Sequence, residues 1–232
     1  LLEGFFSADE LSSLQSRQLS PVLHSEYQLR LLEADSAPLP ASIWIKLDTG
    51  MHRIGFAPEM LTDVLVRLRK LNGIRELRVL THFANADDVS DPRTRKQIES
   101  FHAKVNGLGF ETSLANSAGV TAWPESHADW VRPGIMLYGA SPLMGKTAAE
   151  LNLEPVMTLE SALIAVHTRR KGESIGYGGD WHCPEDMPIG VVAIGYGDGY
   201  PRHAVPGTPV LVNGSRVALV GRVSMDMIMV DL

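Results

Sequence analysis

The 232-residue sequence holds one cysteine, Cys183. A single thiol excludes an internal disulfide and a cysteine-rich metal site. No apolar run approaches the roughly 18–20 residues that span a bilayer, so no membrane partner is expected. Basic excess is also missing: 21 Lys and Arg face 27 Asp and Glu, for a net charge of -6. That balance argues against a grip on nucleic acid, which needs clustered cations. No Gly-x-Gly-x-x-Gly turn follows an early strand, which weakens a dinucleotide-binding reading. No charged-then-apolar leader is visible, and the expected setting is cytoplasmic. Both ends lack the polar character of natural termini. The sequence opens at Leu1-Leu2-Glu3-Gly4-Phe5-Phe6 and closes at Ile228-Met229-Val230-Asp231-Leu232. The expectation is a fragment cut through structure.

What is present is an ordinary globular composition, 44% apolar, enough for one or two domains. In the first part, short apolar runs alternate with amphipathic stretches. Ser7-x-x-Glu10 and Ser25-x-x-Gln28 are capping-box patterns that announce helices. Pro58 suits a first helical turn, and Leu61, Val64, Leu65, Leu68 and Leu71 then share one helical face before Gly73. Asp91-Pro92 opens another helix, with Ile98, Phe101 and Val105 on its apolar side. Strand candidates lie between: Leu1–Phe6, Pro21–His24, Ile43–Leu47, Leu77–Phe83, Phe110–Ala115 and Trp130–Leu137. The alternation predicts βαβ units and a parallel sheet. Six candidates fall short of the eight strands of a closed barrel. From about Leu153, β-branched runs with Gly and Pro take over. Asn213-Gly214 between two apolar runs predicts a tight hairpin. The expected division is an α/β domain over 1–152 and a mostly β domain over 153–232.

Polar clusters sit at the C-terminal ends of the predicted strands, the rim where parallel α/β folds place their sites. Lys46-Leu47-Asp48-Thr49-Gly50-Met51-His52-Arg53 reads equally as a charged loop or as an anion site. Lys46 and Arg53 would repel unless an anion lay between them. His82, followed by Asp87 and Asp88, reads as a hydrogen-bond relay in preference to a metal ligand. Asn116-Ser117-Ala118-Gly119 suits close approach of an anion to backbone N–H groups. Arg132-Pro133-Gly134-Ile135 fits a phosphate-binding loop or a simple turn. In the β domain, Tyr177 and Tyr196 are flanked by glycines. Such a tyrosine is either part of a tight turn or an exposed acid/base group.

Taken together, these segments resemble the alanine racemases, enzymes that use pyridoxal 5'-phosphate (PLP) to interconvert L- and D-alanine. The likeness covers nearly the whole chain in order. It rests on Lys46-x-Asp48-Thr49-Gly50-Met51-x-Arg53-x-Gly55, on Arg132-Pro133-Gly134-Ile135-x-Leu137-Tyr138-Gly139, and on Gly195-Tyr196-Gly197-Asp198-Gly199-Tyr200. The resemblance implies a TIM-type (β/α)8 barrel, here partial with about six strands, followed by a partial β domain. It implies a homodimer whose sites combine one subunit's barrel with its partner's β domain. Tyr177 would be the catalytic base toward L-alanine. Arg132 would face the PLP pyridine nitrogen, and His82 would link Tyr177 to Arg132. Asn116, Ser117, Gly134 and Ile135 would lie at the phosphate. Arg53, Met225 and Tyr196 would serve the substrate. Lys46 matches a lysine that is carbamylated in many members, a modification that turns a repelling cation into an anion.

The family's PLP-bearing lysine has no counterpart here. None of Lys46, Lys70, Lys96, Lys104, Lys146 and Lys171 lies in a motif matching that of the PLP-bearing lysine. The expectation is that this lysine belongs upstream, and that the fragment alone is inactive and, with open sheet edges, poorly soluble. Two other readings stay open: a non-catalytic PLP-binding protein, and a racemase of broader amino-acid specificity.

Overall fold

The computed structural model describes residues 1–34 and 39–232. The chain divides into two compact units, Leu1–Met157 and Thr158–Leu232.

The first unit alternates helix and strand. Helix α1 is Asp9–Ser16, and Leu11 and Leu14 are its buried side. Its capping pattern forms by half. The Glu10 carboxylate accepts from the Phe6 N–H at 2.8 Å, while Ala8 takes the N-cap position and no side chain caps there. Strand β1 is Val22–Leu23 and helix α2 is Glu26–Glu33. Here the serine cap forms, and the Gln28 side chain reaches back one residue beyond it. Ser25 Oγ accepts from the Gln28 N–H, and Gln28 Oε1 accepts from the His24 N–H. After β2, Ser42–Lys46, a 3₁₀ turn at Pro58–Met60 leads into α3, Leu61–Leu68. Leu61, Val64, Leu65 and Leu68 are buried on α3. Leu71 falls beyond the helix, in the turn that ends it. Then come β3, Glu76–Leu80, and α4, Arg93–Val105. Strand β4, Thr112–Asn116, runs directly into α5, Ser117–Ala122, and β5 is Trp130–Arg132.

Strands β1 to β5 form one parallel sheet in sequence order. Two of the expected strands differ. Leu1–Phe6 is not a strand. Leu1 exchanges single backbone bonds with Ser20 and Val22, and Gly4 then turns the chain at φ +75°. The described sheet therefore has five strands where six were expected. Trp130–Leu137 is strand only to Arg132, because Pro133 has no N–H for the ladder. Ile135–Tyr138 coils into a 3₁₀ turn. The helix-facing side chains of β2, Ile43 and Ile45, are fully buried in a core shared with Leu29, Leu65 and Phe101. Each such side chain contributes about 1.5–3 kcal/mol on burial.

The second unit is antiparallel. Strands β6, Leu163–Arg169, β7, Ser174–Ile175, β8, Trp181–His182, and β9, Met187–Val192, are followed by β10, Pro209–Val212, β11, Ser215–Val220, and β12, Ile228–Asp231. Five of them form a sheet of order β10-β11-β12-β9-β6, and β7 pairs with β8. The expected hairpin is present. Val212 pairs Ser215 across Asn213 and Gly214, both at positive φ.

Candidate active site

In the parallel sheet, residues far apart in sequence meet at the strand ends. Lys46 closes β2, His82 follows β3, and Arg132 closes β5. The loop after β2 is pinned at its base. Asp48 N–H donates to the Phe56 carbonyl and Phe56 N–H to the Lys46 carbonyl. Asp48 Oδ1 accepts from the N–H groups of Gly50 and His52. Gly55, at φ +133°, closes the loop where a Cβ would lie 2.8 Å from the Asp48 nitrogen. Only glycine fits that approach. The result brings Arg53 over the end of β2.

Lys46, Arg53, His82 and Arg132 line one cavity of about 440 Å³, with His24 and Glu3 at its edge. Glu3 is the single carboxylate among its lining residues. Lys46 is buried, and its ammonium has no hydrogen-bond or ion-pair partner among the described residues. Burial lowers its pKa, and the charges of Arg53 and Arg132 lower it further. His82 is pushed down to about 4 by burial, then by Arg132, Lys46 and Arg53, so it is neutral at ordinary pH. Burial brings even Arg132 down to about 10. Several cations with one lining carboxylate in a half-dry cleft form a site for an anion.

Arg132 is held by neutral acceptors. Nη1 donates to Ser113 Oγ, and Nη2 donates to the carbonyls of Thr81 and Leu114. Among the described residues, the His82 ring is not a hydrogen-bond partner of Arg132. Beside Arg132 lies the second predicted cluster. Asn116 caps α5 by accepting from the Gly119 N–H at 2.9 Å. Ser117 Oγ accepts from the N–H of Gly134 at 2.7 Å and of Met136 at 3.4 Å. Ile135 opens the 3₁₀ turn, where an N–H has no acceptor within the turn. A Cβ on Gly134 would touch nothing nearer than Ser117 Oγ at 3.9 Å. The space beside the Gly134 Cα is thus open.

One residue here was not singled out in the sequence. Gln97 on α4 is buried. It donates to Thr49 Oγ1 and to the His82 carbonyl, and accepts from the Ala84 N–H. Thr49 and Thr81 share a hydrogen bond of 2.7 Å. A polar residue inside the apolar stripe of α4 was the one available clue to Gln97. Among the described residues, no group of three or more His, Cys, Asp or Glu could hold a metal, and no helix is long and apolar enough to cross a membrane.

In the second unit, Tyr177 begins a short turn between Gly176 at φ +76° and Gly178 at φ +79°. Its side chain is 71% exposed. Asp180 and Arg222 form an ion pair beneath that turn, and a Cβ on Gly178 would lie 3.2 Å from the Arg222 guanidinium carbon. Tyr177 and Tyr196 line one cavity of about 980 Å³ together with Arg202 and Arg222. Arg202 stacks on the Tyr196 ring at 5.4 Å. Met225 sits on the adjoining loop. Its carbonyl accepts from the Gly197 N–H at 2.7 Å, and its side chain is exposed.

Comparison with known proteins supports one family. The family model described as "Alanine racemase, N-terminal domain" matches residues 1–142, and "Alanine racemase, C-terminal domain" matches 156–232. An alanine racemase of Shewanella sediminis is 51% identical over the whole chain, and one of Vibrio cholerae is 50% identical. The chain spans 65% of the first relative's length and 64% of the second's. Among solved structures, the biosynthetic alanine racemase of Pseudomonas aeruginosa superposes with a TM-score of 0.94 at 48% identity. That of Acinetobacter baumannii gives 0.88 at 39%. The whole chain is covered in both, against 65% of each structure. Matched by both domain models over most of its length, and at about half identity by named relatives, this chain belongs to the alanine racemase family.

Proposed function

We propose that this chain is part of a PLP-dependent racemase that interconverts L- and D-alanine. The observation that carries the reading is the convergence of Lys46, Arg53, His82 and Arg132 on one cavity. Beside it, backbone N–H groups gather on Ser117. This donor set fits a phosphorylated, anionic aromatic cofactor. Ser117, with Gly134, Ile135 and Asn116, would hold the phosphate. Arg132 would face the pyridine nitrogen, and Arg53 the phenolate oxygen and the substrate carboxylate.

When bound, PLP supplies the electron sink that weakens the substrate's α-C–H bond. The chain's own residues do the rest. Arg132 gives hydrogen bonds but keeps its protons, so it orients the ring without protonating it. Neutral His82 adds no further positive charge to the cleft. Tyr177 holds or takes the proton at the substrate Cα on one face. Met225 and Tyr196 would complete the carboxylate pocket. The exposure of Tyr177 supports a site completed across a homodimer, with the β unit of one copy serving its partner. The proton carrier for the opposite face is a lysine outside this chain. The proposed setting is cytoplasmic.

The complete protein, loaded with PLP and given L-alanine, is expected to form D-alanine, read by chiral chromatography. A loaded protein that leaves every amino acid unchanged would overturn the reading in favour of a non-catalytic PLP-binding protein. Comparable rates on serine or lysine would replace it with a racemase of broad specificity.

A further inference from the structure

Strand β4 carries an irregularity. Ser113 pairs with Trp130 and Asn116 with Arg132, so β4 spends one more residue than β5 over the same stretch. Bulges of this kind re-aim side chains beside active sites. Ser113 stands at its base and is 1% exposed. Across the sheet it lies in the row Lys46, Leu80, Ser113, on the face that carries the site.

The hydrogen bonds around Ser113 have a fixed direction. Its hydroxyl donates to the Trp130 carbonyl at 2.9 Å. The hydroxyl proton is therefore committed, and only lone pairs remain toward Arg132. Arg132 Nη1 donates into them at 2.5 Å. Nη2 spends both hydrogens, on the Thr81 carbonyl at 2.5 Å and the Leu114 carbonyl at 3.2 Å. A guanidinium has five N–H donors. Three are thus fixed by the sheet, which leaves Nε–H and one Nη1–H for the cavity. Two backbone carbonyls set one edge of the guanidinium, and among the described residues Ser113 is the only side chain that sets the other.

We propose that Ser113 is a positioning residue for Arg132: its hydroxyl, polarised by the Trp130 carbonyl, locks the guanidinium plane so that its two free donors face the cofactor's ring nitrogen. The role rests on the proposed PLP site. Ser113 is not among the residues lining the cavity, and acts through Arg132. A carboxylate in its place would also hold the arginine, but would cancel its charge. The serine holds it and leaves the charge available to the cavity.

The test uses the complete protein with Ser113→Ala and Ser113→Thr. Three quantities are read: rotation of the Arg132 guanidinium by ¹⁵N NMR, the visible absorption band of bound PLP, and kcat against KM for alanine. In Ser113→Ala, faster guanidinium rotation, a shifted band and a kcat about tenfold lower with little change in KM are expected, the usual scale for loss of an orienting partner. Ser113→Thr, which keeps the hydroxyl, should restore all three toward wild type. An unchanged rotation rate and band in Ser113→Ala would overturn the proposal. So would a loss of activity that tracks only a lower Tm or lower PLP content. If the wild-type protein fails to racemise alanine, the functional reading falls. The NMR measurement still decides Ser113, since it needs neither turnover nor cofactor.

Discussion

Gln97 Nε2 donates to the carbonyl of His82 at 3.1 Å. One amide on α4 thus fixes the strand end that delivers the site's histidine. The same amide accepts from the Ala84 N–H and donates to Thr49, so it ties the segment after β3 to the loop after β2. Both segments carry cavity residues, His82 and Arg53.

Replacing Gln97 with Leu should therefore cost more than its packing. It removes the part-buried hydrogen bonds to the Ala84 N–H and the His82 carbonyl, at about 0.5–1.5 kcal/mol for each. A loss of about 2 kcal/mol is expected in urea unfolding of the complete protein, with an unchanged m-value. A loss below about 0.5 kcal/mol, less than one such bond, would show that the network carries no weight.

The His82 ring predicts a pH dependence with a definite sign. Its pKa is about 4 in the folded chain, against 6.5 for the free side chain. Between these values the unfolded chain binds the proton and the folded chain does not. Stability due to this group is full above about pH 6.5 and is lost as the pH falls toward 4. Solvent screening of a half-buried ring limits the effect to about 1–2 kcal/mol. His82→Gln should flatten the stability profile across that window. An NMR titration midpoint of His82 close to that of a free histidine would rule out burial and the neighbouring cations as the origin of the effect.

Lys46 stands among cations, with its pKa lowered by burial. A larger neutral fraction makes its amine a better nucleophile toward dissolved CO₂, in keeping with the proposed carbamylation. Bicarbonate should then raise the activity of the complete protein, and Lys46→Ala should abolish the response. Intact-protein mass measured at alkaline pH should show a labile addition on Lys46 that acid removes. Activity indifferent to bicarbonate, with no such addition, would leave Lys46 an unmodified cation.

Tyr177→Phe removes only the hydroxyl from an exposed ring, so folding and PLP content should be preserved. Racemisation should fall by roughly 10²–10⁴, the range for loss of a positioned acid/base group. A variant that keeps most of the wild-type activity would remove Tyr177 from the proposed mechanism.

Much of this protein is legible from local pattern. The apolar stripe of α3, the Ser25 cap and the Asn213-Gly214 hairpin are all read correctly, because each depends on residues within a few positions of one another. Errors fall where local and non-local terms compete. Leu1–Phe6 has strand-like composition, but Gly4 turns it away from the sheet. Trp130–Leu137 is apolar enough for a strand, yet Pro133 ends the ladder. Ser7 had the right spacing for a cap, but Ala8 took the position.

Short-range signals thus specify the alternation of elements, the change to β structure in the second part and the identity of the reactive residues. Periodicity, caps and turns all act over a few positions, so they can be read along the chain. Folding was needed to bring Lys46, His82 and Arg132 to one rim, since parallel strand pairing joins residues dozens of positions apart. Folding also settled that Arg132 leans on Ser113 and that Gln97 holds His82. Those contacts depend on register and on one irregularity in β4. Register is set by packing of the whole sheet against its helices, a sum of many weak terms that no single motif encodes.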